Sequence, residues 1–599
     1  MFARIRHVLS SSTTSLFTVA LMAFLPFVVP YHAWAPSQAL FIPQFYREWL
    51  TLLLGLLALY PLFNKLHWQH FAIPQVSLMF LGFALIVMVQ SMLGLLHSIQ
   101  YALLVLAYVM AAFLMAVLGG HLRRELGWEK LATTLAWSIL VGGLLNAVYV
   151  FLQYFSSLVI NLPFITSTSN LGLIANVNHL ANYVALAIAS LLYLYAKSHL
   201  KLNVFLFCLV LLLSVLSLTA VTSTWWYLAG LTLLAIVMQI NAIRQRTGST
   251  NIRSLVRVAL LVLPMFVIVQ WMLSWLVNEA PVMAALNATP ASDWSVRLHI
   301  WHESLLLFLR SPWLGVGFGQ THWMSWMTLD AKWSVNLPGA YQHTRNIVLQ
   351  ILAEMGVAGF VVLLAGAFAW LRVFQWKKMD LEAWWLLAVL SMVGINSLFE
   401  ANLNDAYFLT LTAFLLGAGD EKSKHIHLVP KGIVIGKTML IGVLGLMMFA
   451  LVNTLIANTK LENAVLSHHP ATASDYHQAD INQGLAWVKA HSLLAPYADL
   501  AYAKSLGFDQ ANIEDKLMIN GSALRLMPTQ QTAYRHVLYL EFSGQHEEAV
   551  AYMQRGVQSY PHAFKTELQT MPLQYWDMYL RTFSEAITPK SPQRKPAKN

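Results

Sequence analysis

Residues 101–119 read YALLVLAYVMAAFLMAVLG, a run of nineteen residues without a charged side chain. A membrane-spanning α-helix requires about 20 consecutive apolar residues. The chain contains about thirteen runs of this kind, centred near Met22, Leu56, Phe83, Met110, Leu140, Ala187, Leu211, Leu233, Met265, Val361, Val389, Leu411 and Leu446. The pattern predicts an all-α fold, a polytopic bundle of about 13 transmembrane helices.

The composition agrees with a membrane protein. Of 599 residues, 58% are hydrophobic and only 11% are charged, whereas a soluble domain carries roughly a quarter charged residues. This excludes a cytosolic globular enzyme. The net charge is +10, but the cations lie mainly in short connections between apolar runs, which argues against nucleic-acid binding. The single cysteine, Cys208, lies in an apolar run and excludes a disulfide framework.

The distribution of cations predicts which side each connection occupies, because cytoplasmic loops carry an excess of Lys and Arg. If the basic N-terminus is cytoplasmic, alternate connections hold the surplus: Lys65, Arg123, Arg124, Lys130, Lys197, Lys201, Arg244, Arg246, Arg253, Arg257, Arg372, Lys377, Lys378, Lys422, Lys424 and Lys431. The opposite connections are cation-poor, with the exceptions Arg47, Arg297, Arg310, Lys332 and Arg345. Three of these outer connections are long or polar: about 153–178, 278–345 and 400–405.

The C-terminal part of the chain is far more polar than the rest and would lie on the outer side. Segments 481–494, 513–526 and 534–542 show helical periodicity, and 544–561 resembles the second helix of a tetratricopeptide unit. We expect a membrane domain at 1–457, an outer helical, tetratricopeptide-like domain at 458–585, and a disordered basic tail at 586–599. A generic helical domain is the alternative to the tetratricopeptide-like one.

Two arginines bracket the middle outer connection, on the side where arginine is disfavoured. Arg297 and Arg345 have the sequence features of interfacial anchors whose side chains reach lipid phosphates. Their guanidinium groups also match phosphate geometry and keep their charge at any working pH, which favours a diphosphate site. His343 is either a loop histidine without a role or a base toward a hydroxyl.

Two other sequence patterns are not interpreted as ligand-binding sites. The stretch GVGFG at 315–319 lacks the strand, helix and acidic residue of a nucleotide-binding loop, and we interpret it as a pivot for close helix approach. The histidine pairs at 67 and 70 and at 425 and 427 offer only two imidazoles each, so we interpret them as loop residues rather than metal ligands. We predict no metal site and no cofactor.

The segment from His343 to Gly359 carries a resemblance to a known superfamily. Asn346 is followed by nine residues, then Gly356, two more residues and Gly359. This spacing resembles the signature of O-antigen ligases, O-antigen polymerases and bacterial O-oligosaccharyltransferases of the PglL type. Asn176–Leu180 and Glu400–Phe408 resemble two further motifs of the PglL-type branch, and the resemblance covers nearly the whole chain.

The chain departs from the family pattern at three polar positions. Arg345 stands where the family usually has His, Asn176 stands where it has Gln, and Ala401 with Asn402 replaces Tyr-Pro. These departures suggest altered donor or acceptor choice, a polymerase-like role, or lost activity. Of these, we consider complete loss of activity the weakest interpretation, because a polar group stays near each replacement.

The resemblance implies transfer of an oligosaccharide from an undecaprenyl-diphosphate carrier to Ser or Thr of an acceptor protein such as a type IV pilin. It also implies a multi-pass protein of the bacterial inner membrane, surrounded by lipid, with its active site and C-terminal domain in the periplasm. We assign Arg297 and Arg345 to the diphosphate and His343 to the acceptor hydroxyl. The expected substrate contacts are Asn176, Asn178, His179, Asn346, Gln350, Glu400 and Tyr407.

Two alternative functions stay open. An O-antigen ligase or polymerase would use a glycan as acceptor. A transporter would concentrate ionisable residues in mid-span, whereas the polar residues here cluster at the outer ends of the spans.

Overall fold

The computed structural model describes residues 11–29, 42, 44–63, 71–156, 172–174, 176–244, 250–276, 290–328, 341, 343–374, 376, 379–420, 424–426, 430–466 and 475–588. Several predictions made from the sequence lie outside these residues. They concern the tail at 589–599, the histidines at 67, 70 and 427, and the cations Lys65, Arg246, Lys332, Lys377, Lys378 and Lys422.

Helices form nearly all of the described structure. They are α1 (Ser11–Met22), α2 (Leu25–Val28), α3 (Phe45–Ala58), α4 (Ser77–Met92), α5 (Ile99–Leu126), α6 (Trp128–Ser156), α7 (Val177–Ala196), α8 (Leu202–Thr219), α9 (Ser223–Arg244), α10 (Thr250–Leu276), α11 (Pro290–Arg310), α12 (Thr321–Thr328), α13 (Ile347–Val373), α14 (Leu381–Ser397), α15 (Ala406–Gly419), α16 (Pro430–Leu466), α17 (Asp475–His491), α18 (Ala495–Ser505), α19 (Ile513–Leu526), α20 (Gln530–Phe542), α21 (His546–Ser559), α22 (Ala563–Thr570) and α23 (Trp576–Ile587). Short 3-10 turns occupy Tyr60–Phe63, Asn402–Asn404 and Leu573–Tyr575. Two short strands, β1 (Phe71–Ile73) and β2 (Lys424–Ile426), pair antiparallel.

The prediction of an all-α polytopic membrane protein is confirmed. Among the described residues, nine helical segments are long and apolar enough to cross a membrane, and α4, α14 and α15 are shorter apolar helices. Each of the thirteen predicted centres falls inside a helix. The number of thirteen transmembrane helices stays a prediction, because α3 and the three short helices do not meet the length that a bilayer requires.

Helix α7 is the centre of the bundle. All but one of its residues from His179 to Ala196 are buried, because α6, α8, α14, α10 and α9 pack around it. Two of its polar side chains form hydrogen bonds inside the bundle: Asn182 donates to the Met392 carbonyl at 2.9 Å, and Ser190 accepts from the Trp385 indole at 3.0 Å. Such internal partners are necessary where no water is available.

Helices α5 and α15 approach each other closely through glycines. A Cβ atom added at Gly119 would lie 2.1 Å from the Phe414 carbonyl oxygen, and one at Gly417 would lie 1.9 Å from the Ala116 carbonyl oxygen. Only glycine permits two backbones to pack at this distance. The contact fixes α15, and with it the loop that precedes α15, against the rest of the bundle.

The two ends of the bundle differ in charge. At one end, α7 finishes beside Lys197, which forms ion pairs with Glu129 and Glu382, and Arg123 donates to the Ala418 carbonyl. At the other end, α7 begins at Asn176 and α14 finishes shortly before Glu400. The predicted site residues therefore lie at the end opposite to Arg123 and Lys197.

The C-terminal helices α17–α23 pack onto the end of the bundle that carries the site. His97 contacts the Ser522 carbonyl at 2.9 Å and Arg525 donates to the Leu96 carbonyl at 3.3 Å. Trp326 of α12 packs edge-on against Tyr552, with ring centroids 5.5 Å apart. Helix α16 runs without a break through position 457, where the sequence places the end of the membrane domain.

Candidate functional site

One carboxylate, that of Glu400, joins three of the predicted site residues. Asn178 donates to Glu400 Oε1 at 3.0 Å. Arg297 Nη2 lies 3.6 Å and Arg345 Nη1 lies 3.9 Å from the same oxygen. Arg297 also donates to the Phe399 carbonyl at 2.9 Å. We call Asn178, Arg297, Arg345 and Glu400 the arginine cluster; they come from four separate segments of the chain.

The cluster retains positive charge. Two guanidinium groups face one carboxylate, so its formal charge is +1 when Glu400 is ionised. The side chain of Arg345 is 44% exposed, against 11% for Arg297. Arg345 thus presents its guanidinium group to an incoming ligand, while Arg297 is held in place by its backbone and carboxylate partners.

Two helices begin next to the arginine cluster. Asn176 caps α7 by accepting from the Asn178 and His179 amides at 2.9 and 3.4 Å. Asn346 caps α13 by accepting from the Val348 and Leu349 amides at 3.0 and 3.2 Å. Helix N-termini carry partial positive charge. The side-chain oxygens of Asn176 and Asn346, which the sequence suggests as substrate contacts, are therefore engaged in capping.

The backbone of Arg345 adopts a left-handed conformation with φ of 52°. Thr344 stabilises this turn, since its hydroxyl donates to the Asn346 carbonyl at 2.8 Å and accepts from the Asn346 amide at 3.3 Å. Non-glycine residues adopt this conformation infrequently, and such positions are frequent at functional sites. The turn directs Arg345 toward Glu400.

His343 lies beside the cluster and faces a cavity of about 350 Å³. Its Nδ1 atom is 3.0 Å from the side-chain amide nitrogen, Nδ2, of Asn404. His343 keeps an exposed surface, but partial desolvation by the surrounding protein, with His322 and Arg345 nearby, lowers its pKa to about 4. The imidazole is therefore neutral near pH 7.

A second polar network reaches the cavity through Gln44 and Asp405. His179 Nδ1 lies 3.0 Å from the Tyr407 hydroxyl and 3.2 Å from Asp405 Oδ2, and Tyr407 donates to Asp405 at 2.9 Å. Tyr407 is also hydrogen-bonded to Gln44. The structure thus separates His179 and Tyr407 from the arginine cluster, although the loop from Glu400 to Tyr407 connects the two groups.

Several residues of this network are not assigned to the site by the sequence analysis, which notes Arg47 only as a cation in a cation-poor connection. Glu48 forms hydrogen bonds with Tyr108 and with Asp405, and all three side chains line the cavity. Arg47 donates to the Leu173 carbonyl and lies near Asp405. The available signal was an Arg-Glu pair, Arg47 and Glu48, at the start of an apolar run, where charged residues are rare.

Helix α13 is interrupted at Gly356, where φ is 63° and ψ is −159°. The loop after α11 fills the interruption: Val316 and Gly317 donate to the Ala353 and Glu354 carbonyls at 2.9 and 3.1 Å, and Val357 donates to the Pro312 carbonyl at 2.7 Å. A Cβ atom at Gly315 would lie 2.2 Å from the Glu354 backbone. The predicted close approach through the GVGFG stretch is confirmed.

Gln350, the last of the predicted site residues, lies in α13 shortly before this interruption. Gln350 is buried, lines the cavity and makes a side-chain hydrogen bond with Glu354. Glu354 also accepts from the Thr321 hydroxyl at 2.9 Å. Within the residues that the structure describes, no group of three or more His, Cys, Asp or Glu side chains is arranged to hold a metal ion.

Comparison with known families and proteins adds an independent observation. Residues 207–364 match a family model described as O-antigen ligase, and residues 384–571 match one described as virulence factor membrane-bound polymerase, C-terminal. The chain is 25% identical over 508 residues to a general O-oligosaccharyltransferase of Acinetobacter baylyi, an alignment that covers 81% of this chain and 85% of the relative. The resemblance to the O-antigen ligase superfamily is confirmed.

The site combines residues from both matched regions with residues that precede them, such as Asn178 and Glu48. The O-antigen ligase region contributes Arg297, His343 and Arg345, and the polymerase-like region contributes Glu400 and Asp405. The latter region also includes most of the C-terminal helices. These comparisons support a multi-pass membrane enzyme of the glycosyltransferase type that transfers oligosaccharides.

Proposed function

We propose that the protein transfers an oligosaccharide from an undecaprenyl-diphosphate carrier to the hydroxyl group of Ser or Thr in an acceptor protein. The observation that carries this proposal is the convergence of Arg297 and Arg345 on Glu400, beside the N-termini of α7 and α13. Guanidinium groups and helix N-termini both favour a diphosphate.

The arrangement also fits the chemistry of transfer. When the bond between the anomeric carbon and the phosphate oxygen breaks, negative charge grows on the diphosphate. Donors that are already fixed in place stabilise this charge more than they stabilise the bound donor substrate, and so they accelerate the reaction. Glu400 fixes Arg297 and Arg345 without neutralising both of them.

The charge asymmetry of the bundle supports a periplasmic site. Arg123 and Lys197, two cations of the short connections, lie at one end of the bundle, and the positive-inside rule assigns such an end to the cytoplasm. The arginine cluster lies at the opposite end. We therefore propose that the protein resides in the inner membrane with its site facing the periplasm.

The C-terminal helices are the proposed binding region for the acceptor protein. Tyr497 and Leu526 belong to these helices, Met527 directly follows α19, and all three line the same cavity as His343. A protein bound to this region would have access to the cavity beside the arginine cluster. The relative from Acinetobacter baylyi bears the name of an O-oligosaccharyltransferase, which favours a protein acceptor, with a pilin as the first candidate.

The proposal is tested by reconstituting the enzyme with undecaprenyl-diphosphate oligosaccharide and a pilin acceptor. We expect Arg345→Ala and Arg297→Ala to lower transfer on the order of 100-fold, the loss typical of removing one preorganised donor. Arg310→Ala is the matched control, because Arg310 lies on the same helix as Arg297 but is exposed outside the cluster. Undiminished transfer by Arg345→Ala would contradict the proposed site.

An O-antigen ligase or polymerase remains the second candidate, since one matched family model bears that description. Mass spectrometry of pilin and of lipopolysaccharide from cells with and without the gene separates the two functions. Loss of a pilin glycan supports protein transfer, whereas altered lipopolysaccharide with unchanged pilin supports the ligase.

A further inference from the structure

The hydrogen bond of His343 restricts what this residue does in transfer. An Asn amide nitrogen only donates hydrogen bonds, so the contact of 3.0 Å requires His343 Nδ1 to accept from Asn404. In the neutral imidazole the proton is then on Nε2. His343 is thus a hydrogen-bond donor at Nε2 rather than a base at that atom. The proton of an attacking hydroxyl must go to another group.

Carboxyl groups are the other proton acceptors in the cavity. Glu48, Glu354 and Asp405 line it. Glu354 is enclosed: one oxygen accepts from Thr321, and the other is fully buried. Glu48 and Asp405 are both partly exposed and are hydrogen-bonded to each other. Two carboxyl groups in this arrangement share a proton and titrate as a pair.

The surroundings of the pair orient Asp405 and allow it to change protonation. Tyr407 donates to Asp405 Oδ2 at 2.9 Å, and His179 Nδ1 lies 3.2 Å from the same oxygen. The other charged or titratable groups that face the pair are Arg47, Tyr108 and Tyr497. Burial raises the pKa of Asp405 above the ordinary range of a carboxyl group, toward the neutral pH at which a general base works best.

We propose that Asp405, paired with Glu48, accepts the proton of the acceptor hydroxyl during transfer, while His343 donates a hydrogen bond to the substrate. This inference rests on the proposed function. The hydroxyl oxygen forms a bond to the anomeric carbon, and the bond from that carbon to the phosphate oxygen breaks. Its electron pair stays on the released undecaprenyl diphosphate, and the hydroxyl proton moves to the Asp405 carboxylate.

The experiment measures transfer by the full-length enzyme in vesicles as a function of pH, with undecaprenyl-diphosphate oligosaccharide and pilin. Asp405→Asn removes the charge and keeps an oxygen that accepts from Tyr407; no helix-capping hydrogen bond is lost, since the Asp405 side chain makes none. We expect a loss of at least about 100-fold, within the range for a general base. Binding of the donor, measured by native mass spectrometry, should be retained.

The pH profile separates the carboxyl pair from the imidazole. In the wild type, transfer should rise with pH in two steps as the pair loses its protons, and His343→Gln should keep both steps at a lower rate. Asp405→Asn should lose them, and Glu48→Gln, with one carboxyl group left, should show a single step. Glu48→Gln also carries the test if Asp405→Asn fails to fold.

The possible failures are distinguishable. If the wild type transfers nothing to protein or glycan, the proposed function is wrong and the base assignment falls with it. If the wild type is active but Asp405→Asn stays within about 3-fold of it, or Glu48→Gln keeps both steps, only the base assignment is overturned. If only His343→Gln loses the two pH-dependent increases in transfer, the imidazole of His343 is the base.

Discussion

At the scale of single residues, backbone conformation decides where the site is built. Gly356 has a positive φ of 63° and allows α13 to break so that the loop around Pro312 hydrogen-bonds into the gap. A Cβ atom at position 356 would lie 2.5 Å from the Trp313 backbone. The wall of the cavity that contains Gln350 and Glu354 therefore depends on this glycine.

We expect Gly356→Ala to destabilise the protein, both by forcing alanine into a left-handed conformation and by the clash with Trp313. The cost should be about 1–3 kcal/mol, measured as a lower thermal unfolding midpoint in detergent. Gly394→Ala is the control, because a Cβ atom at this helical position meets nothing within 4 Å. A drop of equal size in both variants would contradict this account.

At the scale of elements, helix caps explain residues that sequence motifs single out. Asn346 stands at a motif position that the family resemblance links to substrate, yet its side-chain oxygen accepts from Val348 and Leu349 at the start of α13. Asn176 does the same for α7. These caps fix the helix ends next to Arg345 and Asn178. They therefore influence the site by holding these two side chains in place, not by binding substrate.

A pair of substitutions separates capping from substrate contact. We expect Asn346→Ala to cost about 1 kcal/mol of stability, whereas Asn346→Ser, which also caps, should cost little. The measurement is the thermal unfolding midpoint together with transfer activity. If the Asn346 amide also touches substrate, Asn346→Ser will be stable but slow; if the residue only caps, Asn346→Ser will be stable and active.

The sequence predicts elements better than it predicts side-chain partners. Every predicted span centre lies in a helix because apolar length is a local property of the chain. The same is true of α19, whose observed bounds, Ile513–Leu526, equal the predicted segment. The convergence of Arg297 and Arg345 on Glu400, and the pairing of Glu48 with Asp405, depend on tertiary packing between distant segments, which no local pattern reports.

At the scale of the whole molecule, the C-terminal helices close one side of the cavity through contacts with histidines. His97 contacts the Ser522 carbonyl, and His322 contacts the Leu526 carbonyl. Burial lowers the pKa of His97, and it lowers the pKa of His322 to about 4. The packed helices therefore favour the neutral form of both imidazoles.

This packing should weaken in acid. The pKa of His322 in the folded protein lies below the unfolded value of about 6.5, so the unfolded state binds more protons, and stability is lost as pH falls from about 6.5 toward 4. We expect the thermal unfolding midpoint to fall over this range, and to fall less in His322→Gln. His562→Gln, at an exposed position, is the control and should follow the wild type. A wild-type midpoint that does not change with pH would refute the expectation.

Helix α16 contains 37 residues and is therefore about 55 Å long at about 1.5 Å per residue, well beyond the roughly 30 Å hydrocarbon thickness of a bilayer. Its final turns pack against α17 through Ala457, Leu461 and Leu485. In a bilayer thinner than its apolar stretch, a helix of this kind tilts to match the lipid. Acyl-chain length would thereby set the height at which the C-terminal helices stand above the arginine cluster, and membrane thickness would join substrate concentration as a determinant of the rate.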